Sequence, residues 1–286
     1  VSSLNLGERF IQWVEREESV VAAIQIGSQV RAGSEPGAAD DYSDWDFQVI
    51  SSAPAALERR ELYSSVVGVP LAFAVRGGRL GTARKVTVLF AEGELDIVII
   101  PFAQFEEVQR QVAAGTYAQI PPVIRALEDL SSVLLGGYRI IKGAEAVADL
   151  YRFVTTEISP PRLSDAAIRQ LGEGFVCDYV STARKIARGE FIAAQRWLHH
   201  QLAETNFSLA HEFRRRSGWP SFPDARRVEM LLDDAARSAL EVRATPTSDS
   251  LRAALQKSRV SCIALMHALV GDTWAWPSLP SGLSGE

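Results

Sequence analysis

The run "VVAAIQI", residues 20–26, is apolar at nearly every position and rich in β-branched side chains, as strands favour. Four runs of similar texture follow: "FQVI" (47–50), "LAFAV" (71–75), "KVTVLF" (85–90) and "LDIVII" (95–100). Around them the hydrophobic spacing changes. "LGERFIQWVEREES" sets Phe10, Trp13 and Val14 at helical intervals. "SSAPAALERRELYSSVV" opens on a serine cap with Pro54 in its first turn. "FAEGELDIVII" reads as a tight hairpin turning at Glu92-Gly93. The order is helix, strand, helix, strand, helix and then three strands, which predicts a sheet with helices packed on it.

Beyond residue 103 strand patterns become rare. "FAQFEEVQRQVAAG" and "VIRALEDLSSVLLG" have amphipathic helical spacing, and "ISPPRLSD" (158–165) is a proline-rich break ending in a helix cap, Ser164 or Asp165. The rest reads as helical nearly to its end, with 190–216 one long segment that turns Phe191, Trp197, Leu198, Leu209 and Phe213 toward a core. The expected fold class is therefore α+β (α/β): an N-terminal mixed-sheet domain over residues 1–150, then an all-helical domain over 151–286, with the boundary anywhere from 140 to 163.

Composition narrows the partners. A chain of 286 residues is long enough for one large domain or two ordinary ones. Its net charge of −5 and pI near 5.6 argue against nucleic acid and accord with a cationic partner. No apolar run approaches the roughly 20 residues that span a bilayer, and the first residues lack the order of a secretory leader. The expected location is the cytosol, without a membrane partner. Cys177 and Cys262, far apart and without metal-ligand spacing, read as reduced core thiols.

The candidate chemistry lies in "AIQIGSQVRAGSEPGAADDYSDWDFQVI", residues 23–50. Gly27-Ser28 follows a strand, and Gln29–Ala32 is placed to start a helix. Backbone N–H groups and a hydroxyl at such a turn can approach a phosphate closely. Asp44 and Asp46 are two apart, so on a strand they share a face, with Cα atoms roughly 6–7 Å apart. Two carboxylates on one face repel unless a cation sits between them, and a hard oxygen set suits Mg²⁺. Asp96 interrupts a strand that is apolar on both sides, where an ionised carboxylate must be paired or bound to metal.

These residues carry a resemblance. "GSQVRAG…YSDWDF" resembles the signature of the DNA-polymerase-β-like nucleotidyltransferases: Gly-Ser, a nearby Arg and Gly, then Ser-Asp-x-Asp and an apolar residue, with a third carboxylate on a later strand. Gly27, Ser28, Arg31, Gly33, Ser43, Asp44, Asp46 and Phe47 match, and Asp96 fits the third acid. Within that superfamily the chain is most similar to the bacterial aminoglycoside 6-adenylyltransferases, which modify streptomycin. Overall length, a helix before the first strand, the long insert between the two motifs and an all-helical second half support this. "QVRAGSEPGAADDYSDWD" departs from that family's usual polar segment after Gly-Ser.

The resemblance implies Mg²⁺-dependent transfer of AMP from ATP to a hydroxyl of a small cationic acceptor. Phosphates would rest on Gly27-Ser28, with Arg31 and Ser43 also in the nucleotide site. Two Mg²⁺ ions would be held by Asp44, Asp46 and Asp96, the last as ligand, base or both. In "EGFVCDYVSTARKIARGE" (173–190), Arg184 or Lys185 would meet the triphosphate while Glu173 and Asp178 pair with amino or guanidinium groups of the acceptor. Two alternatives stand beside this. One keeps the chemistry and takes a protein hydroxyl or an RNA end as acceptor. The other is a non-catalytic nucleotide-binding protein of the same fold, which predicts the loss of a metal-site acid.

Overall fold

A computed structural model describes residues 4–33, 35, 37–78, 82–222 and 225–279. The chain divides into two compact units, Val1–Pro161 and Arg162–Glu286. The division follows the helix Ala144–Glu157, which buries Val147, Leu150, Tyr151 and Val154 in the core of the first unit. It coincides with the proline-rich break.

The first unit runs α1 (Leu6–Arg16), β1 (Val20–Ile26), β2 (Trp45–Ser51), α2 (Arg60–Val66), β3 (Ala72–Gly77), β4 (Arg84–Phe90) and β5 (Gly93–Pro101). It then continues through α3 (Phe102–Ala113), α4 (Pro121–Leu134), β6 (Arg139–Lys142) and α5 (Ala144–Glu157). One mixed six-stranded sheet results, in the order β3-β4-β5-β2-β1-β6. β2 and β5 pair in parallel, and the other neighbours are antiparallel. β6 was not expected. It is only four residues long and its burial is partial, so "RIIK" carries little of the apolar signal of a central strand.

Strand alternation sorts the side chains into two layers. Phe47 and Val49 of β2, with Leu95, Ile97 and Ile99 of β5, pack on one face against Leu6, Phe10 and Val14 of α1 and Tyr63 of α2. Ile50 of β2 and Ile100 of β5 pack on the other face, against α3, α4 and α5. On that second face each strand is apolar at its C-terminal end and acidic at its N-terminal end. Gln48 lies between the two regimes, fully buried, and accepts a hydrogen bond of 2.7 Å from the Tyr151 hydroxyl.

The second unit contains α6 (Asp165–Ala187), α7 (Phe191–Trp197), α8 (Ala203–Arg216), the short α9 (Val228–Leu231) and α10 (Asp234–Leu240), and α11 (Ser248–Val270). Ser164 caps α6, accepting from Ala167 N–H at 3.1 Å. The expected continuous segment 190–216 is interrupted by a single π turn, Leu198–Leu202, that keeps both its leucines buried. Trp274 and Trp276 pack inward. Trp276 meets Tyr179 edge-on at 5.1 Å, and Trp274 approaches Gly172, where a Cβ would stand 3.0 Å from its Nε1. Cys262 is a core thiol pushed up to about 12 by burial, whereas Cys177 is exposed on the outer side of α6. The sequence reading of both as core thiols is therefore corrected at Cys177. Among the described residues no helix is long and apolar enough to cross a membrane.

A buried carboxylate anchors the start of this unit. Glu212 of α8 accepts from Arg162 Nε at 3.0 Å, Arg216 Nε at 3.1 Å and Leu163 N–H at 3.3 Å. Burial works to raise its carboxyl, but the hydrogen bonds from Arg162, Arg216 and Leu163 together outweigh burial and hold it below the ordinary glutamate range. A depressed folded value means that the stabilisation is present above the unfolded glutamate value of about 4.3. It is lost as pH falls through the folded value. Glu212→Gln is expected to cost about 2–4 kcal/mol, and to flatten the acid limb of a stability-against-pH curve measured by thermal unfolding. An unchanged acid limb would contradict this assignment.

Candidate active site

β1 delivers the chain into a single 3-10 turn, Gly27–Val30, and not into the helix expected at Gln29–Ala32. No helix dipole therefore acts at Gly-Ser, and the turn's own groups carry whatever binding it has. Gly27 has φ +78°, and a Cβ there would lie 2.2 Å from Asp46 Oδ2. Only glycine lets this turn close onto the carboxylate. Ser28 is 6% exposed, and its Oγ has no hydrogen-bond partner among the described residues. A buried hydroxyl without a partner costs free energy unless something binds it.

The loop that follows shapes the approach to β2. Arg31 Nη1 donates to Gly37 O at 3.1 Å, and its guanidinium lies so close to Gly136 that a Cβ there would stand 2.3 Å from Nε. Ser43 Oγ accepts from Asp40 N–H at 2.9 Å and lies 3.0 Å from Asp40 Oδ1. Gln29 Nε2 reaches Asp44 O at 3.4 Å. Arg31 and Ser43 thus both have bracing roles in the loop that presents Asp44. On the opposite side of β2, Trp45 fills the space over Gly7 of α1 and Phe47 packs against Phe10 with tilted rings 4.8 Å apart, which fixes the strand's N-terminal end.

Register then assembles the acids. Asp46 lies directly beside Asp96 in the parallel β2–β5 ladder, at the roughly 4.8 Å spacing of neighbouring strands. Asp44, Glu94 and Asp96 place carboxylate oxygens within 4.8 Å of one another. Asp96 is buried, at 8% exposed, while Asp44 and Glu94 are half-buried. Asp96 Oδ1 accepts from Thr87 Oγ1 at 2.6 Å, and its Oδ2 pairs with Lys85. Burial, then the charges of Asp96 and Asp44, raise the Glu94 carboxyl above its ordinary value, and Lys85 and Arg76 oppose them. The group is a set of hard oxygen donors at the edge of a core, which fits Mg²⁺. The orphaned Ser28 hydroxyl fits an anionic phosphate oxygen.

The expected acids Asp44 and Asp96 are thus brought together, with Asp46 alongside them and against Gly27. Glu94 was missed. The hairpin turns at Ala91-Glu92, with Phe90 opposite Gly93, so Glu94 is inside β5 and not at the turn. Its signal was the i, i+2 relation to Asp96, the same relation that singled out Asp44 and Asp46. Lys85 and Thr87, two apart on β4, follow the same rule.

Glu173, Asp178 and Lys185 belong to α6 of the helical unit. Glu173 is exposed and accepts from Trp274 Nε1 at 3.1 Å. Burial raises the Asp178 carboxyl above its ordinary value. Lys185 Nζ lies over the Trp197 ring, 4.4 Å from its centroid, a cation–π contact.

No protein-family model and no curated protein matches the sequence. Among solved structures, the chain is similar to an aminoglycoside 6-adenyltransferase from Bacillus subtilis, with 11% identity and a TM-score of 0.40 over 96% of this chain and 94% of that one. It is also similar to a nucleotidyltransferase-like protein from Exiguobacterium sibiricum, with 12% identity and a TM-score of 0.34 over 92% of this chain and 74% of that one.

Proposed function

We propose that the chain is a Mg²⁺-dependent nucleotidyltransferase that moves AMP from ATP to a hydroxyl of a small cationic acceptor of the aminoglycoside type, such as streptomycin. The observation that carries this reading is the junction of two features: the Gly27 turn, with its unpartnered buried Ser28 hydroxyl, closes on Asp46 beside the Asp44–Glu94–Asp96 group. A phosphate cradle next to a cation site is what transfer from a nucleoside triphosphate needs.

Asp44, Asp46 and Asp96 would hold the metal, which when bound neutralises phosphate charge and eases departure of pyrophosphate. The remaining work is positioning. Ser28 donates to a phosphate oxygen, and Gly27 leaves the backbone open to the triphosphate. The acceptor oxygen attacks the α-phosphorus, the α–β bridging P–O bond breaks, and pyrophosphate leaves with that bond's electron pair. The acceptor's proton passes to Asp96 or to Glu94, the carboxylates beside the cation site. Asp40 and Asp41, exposed just before Asp44, add negative charge that favours a cationic acceptor over RNA. Glu173 and Asp178 offer the same chemistry in the helical unit.

Purified protein with Mg²⁺ and ATP should release pyrophosphate when streptomycin or another aminoglycoside is added, and not when Mg²⁺ is withheld. Transfer of label onto protein, with silence on every aminoglycoside, would replace the acceptor in this reading. Absence of ATP binding in a titration with Mg²⁺ would end it.

A further inference from the structure

Both oxygens of Asp96 are engaged. Thr87 stands directly opposite Asp96 in the β4–β5 ladder and donates to Oδ1, and Lys85, two residues earlier on the same face, pairs with Oδ2. The two partners of the ion pair differ in freedom. The Asp96 side chain is 9% exposed and fixed in a central strand, whereas the Lys85 side chain is 41% exposed on a flexible stem. Lysine can swing away without disturbing the core; aspartate cannot. Arg76 stands opposite Lys85 on β3, and its Nη1 lies 3.5 Å from Thr87 Oγ1. Like charges directly opposite one another destabilise a sheet, so this pairing of cations depends on the carboxylates next to it.

We propose that Lys85 is a resident counter-cation of the acidic group, which holds Asp96 in the nucleotide-free protein and is exchanged for the divalent metal when metal and nucleoside triphosphate arrive together. The proposal rests on the nucleotidyltransferase reading for its second half only. A metal ion alone must displace an ammonium from a buried carboxylate and leave that ammonium without an anion. A triphosphate supplies the anion, so metal and nucleotide strengthen one another's binding, and by linkage the coupling is reciprocal. The exchange keeps the four neighbouring acids, Asp44, Asp46, Glu94 and Asp96, from collecting divalent ions when no nucleotide is present.

The test is a Mn²⁺ titration followed by the electron paramagnetic resonance of the unbound ion. It is run with and without α,β-methylene-ATP, on the wild type, Lys85→Met and Lys85→Arg, with the analogue's own Mn²⁺ affinity subtracted. Lys85→Met is expected to bind Mn²⁺ alone about 5-fold to 100-fold more tightly than the wild type, and to gain less from the analogue. Lys85→Arg, which keeps the charge, stays near the wild type. Thermal unfolding provides a second readout: Mn²⁺ without nucleotide should raise the melting temperature of Lys85→Met more than that of the wild type. Lys85→Met binding Mn²⁺ no more tightly than the wild type would overturn the proposal, whatever the analogue does. If the analogue changes Mn²⁺ affinity in no variant while Lys85→Met still binds Mn²⁺ more tightly, the counter-cation stands and the coupled half falls with the nucleotide reading.

Discussion

Asp44→Asn is expected to lower AMP transfer by about 10³-fold or more while leaving the melting temperature in metal-free buffer unchanged or slightly raised. The two effects have opposite signs for one reason. Asp44, Glu94 and Asp96 bring carboxylate oxygens within 4.8 Å of one another, and like charges at that range destabilise the folded chain when no cation is bound. Replacing one with a neutral amide of the same shape relieves the repulsion. The same replacement removes a ligand from the set that would hold the metal, so the chemistry fails. Asp44 suits this experiment better than Asp96, whose removal would also strand Thr87 and Lys85. Transfer within tenfold of the wild type would exclude Asp44 from the reaction.

Gly27→Ala should also damage activity, by less, and, unlike Asp44→Asn, should lower stability as well. The residue sits at φ +78°, where a Cβ would stand 2.2 Å from Asp46 Oδ2 and 3.0 Å from Asp46 Cβ. The left-handed backbone alone costs an L-residue about 1–2 kcal/mol, and the clash forces either the turn or Asp46 to move. A displacement of about 1 Å in a positioned group can cost on the order of 100-fold in rate. Activity and thermal unfolding of the purified variant measure both effects. Gly174→Ala is the control: nothing lies within 4 Å of its Cβ position on α6, so helix propensity alone should act. That substitution should gain about 0.5–1 kcal/mol. Gly27→Ala with wild-type activity would separate the turn from catalysis.

The central strands were legible because their burial is written as apolar runs, and the acids stood out against them: Asp96 interrupts one run, and Asp44 and Asp46 stand two apart at the entrance to another. β6 escaped because an edge strand of four residues needs no such run. The helix expected after Gly27-Ser28 failed on local geometry. Gly27 in the left-handed region closes a tight turn, and the next residues are spent in the loop that Arg31 and Ser43 brace. Glu94 was missed because the apolar run begins only at Leu95, one residue after it. A two-residue turn at Ala91-Glu92 starts the strand at Gly93, and the i, i+2 spacing sets Glu94 on the face of Asp96. The unit boundary is legible only broadly, between residues 140 and 163, because α5 is helical like α6 after it, yet belongs by its buried face to the sheet. Pairings such as Lys85 with Asp96 require strand order, which no spacing along the chain encodes.

The account depends on carboxylates from two adjacent strands trapping one kind of ion beside the Gly27 turn. Crystals grown with Mn²⁺ and α,β-methylene-ATP, measured for anomalous scattering, address this directly. The expected peak lies about 2.0–2.3 Å from oxygens of Asp44 and Asp96, with a phosphate oxygen accepting from Ser28. A peak elsewhere, or nucleotide bound away from Gly27-Ser28, would contradict it.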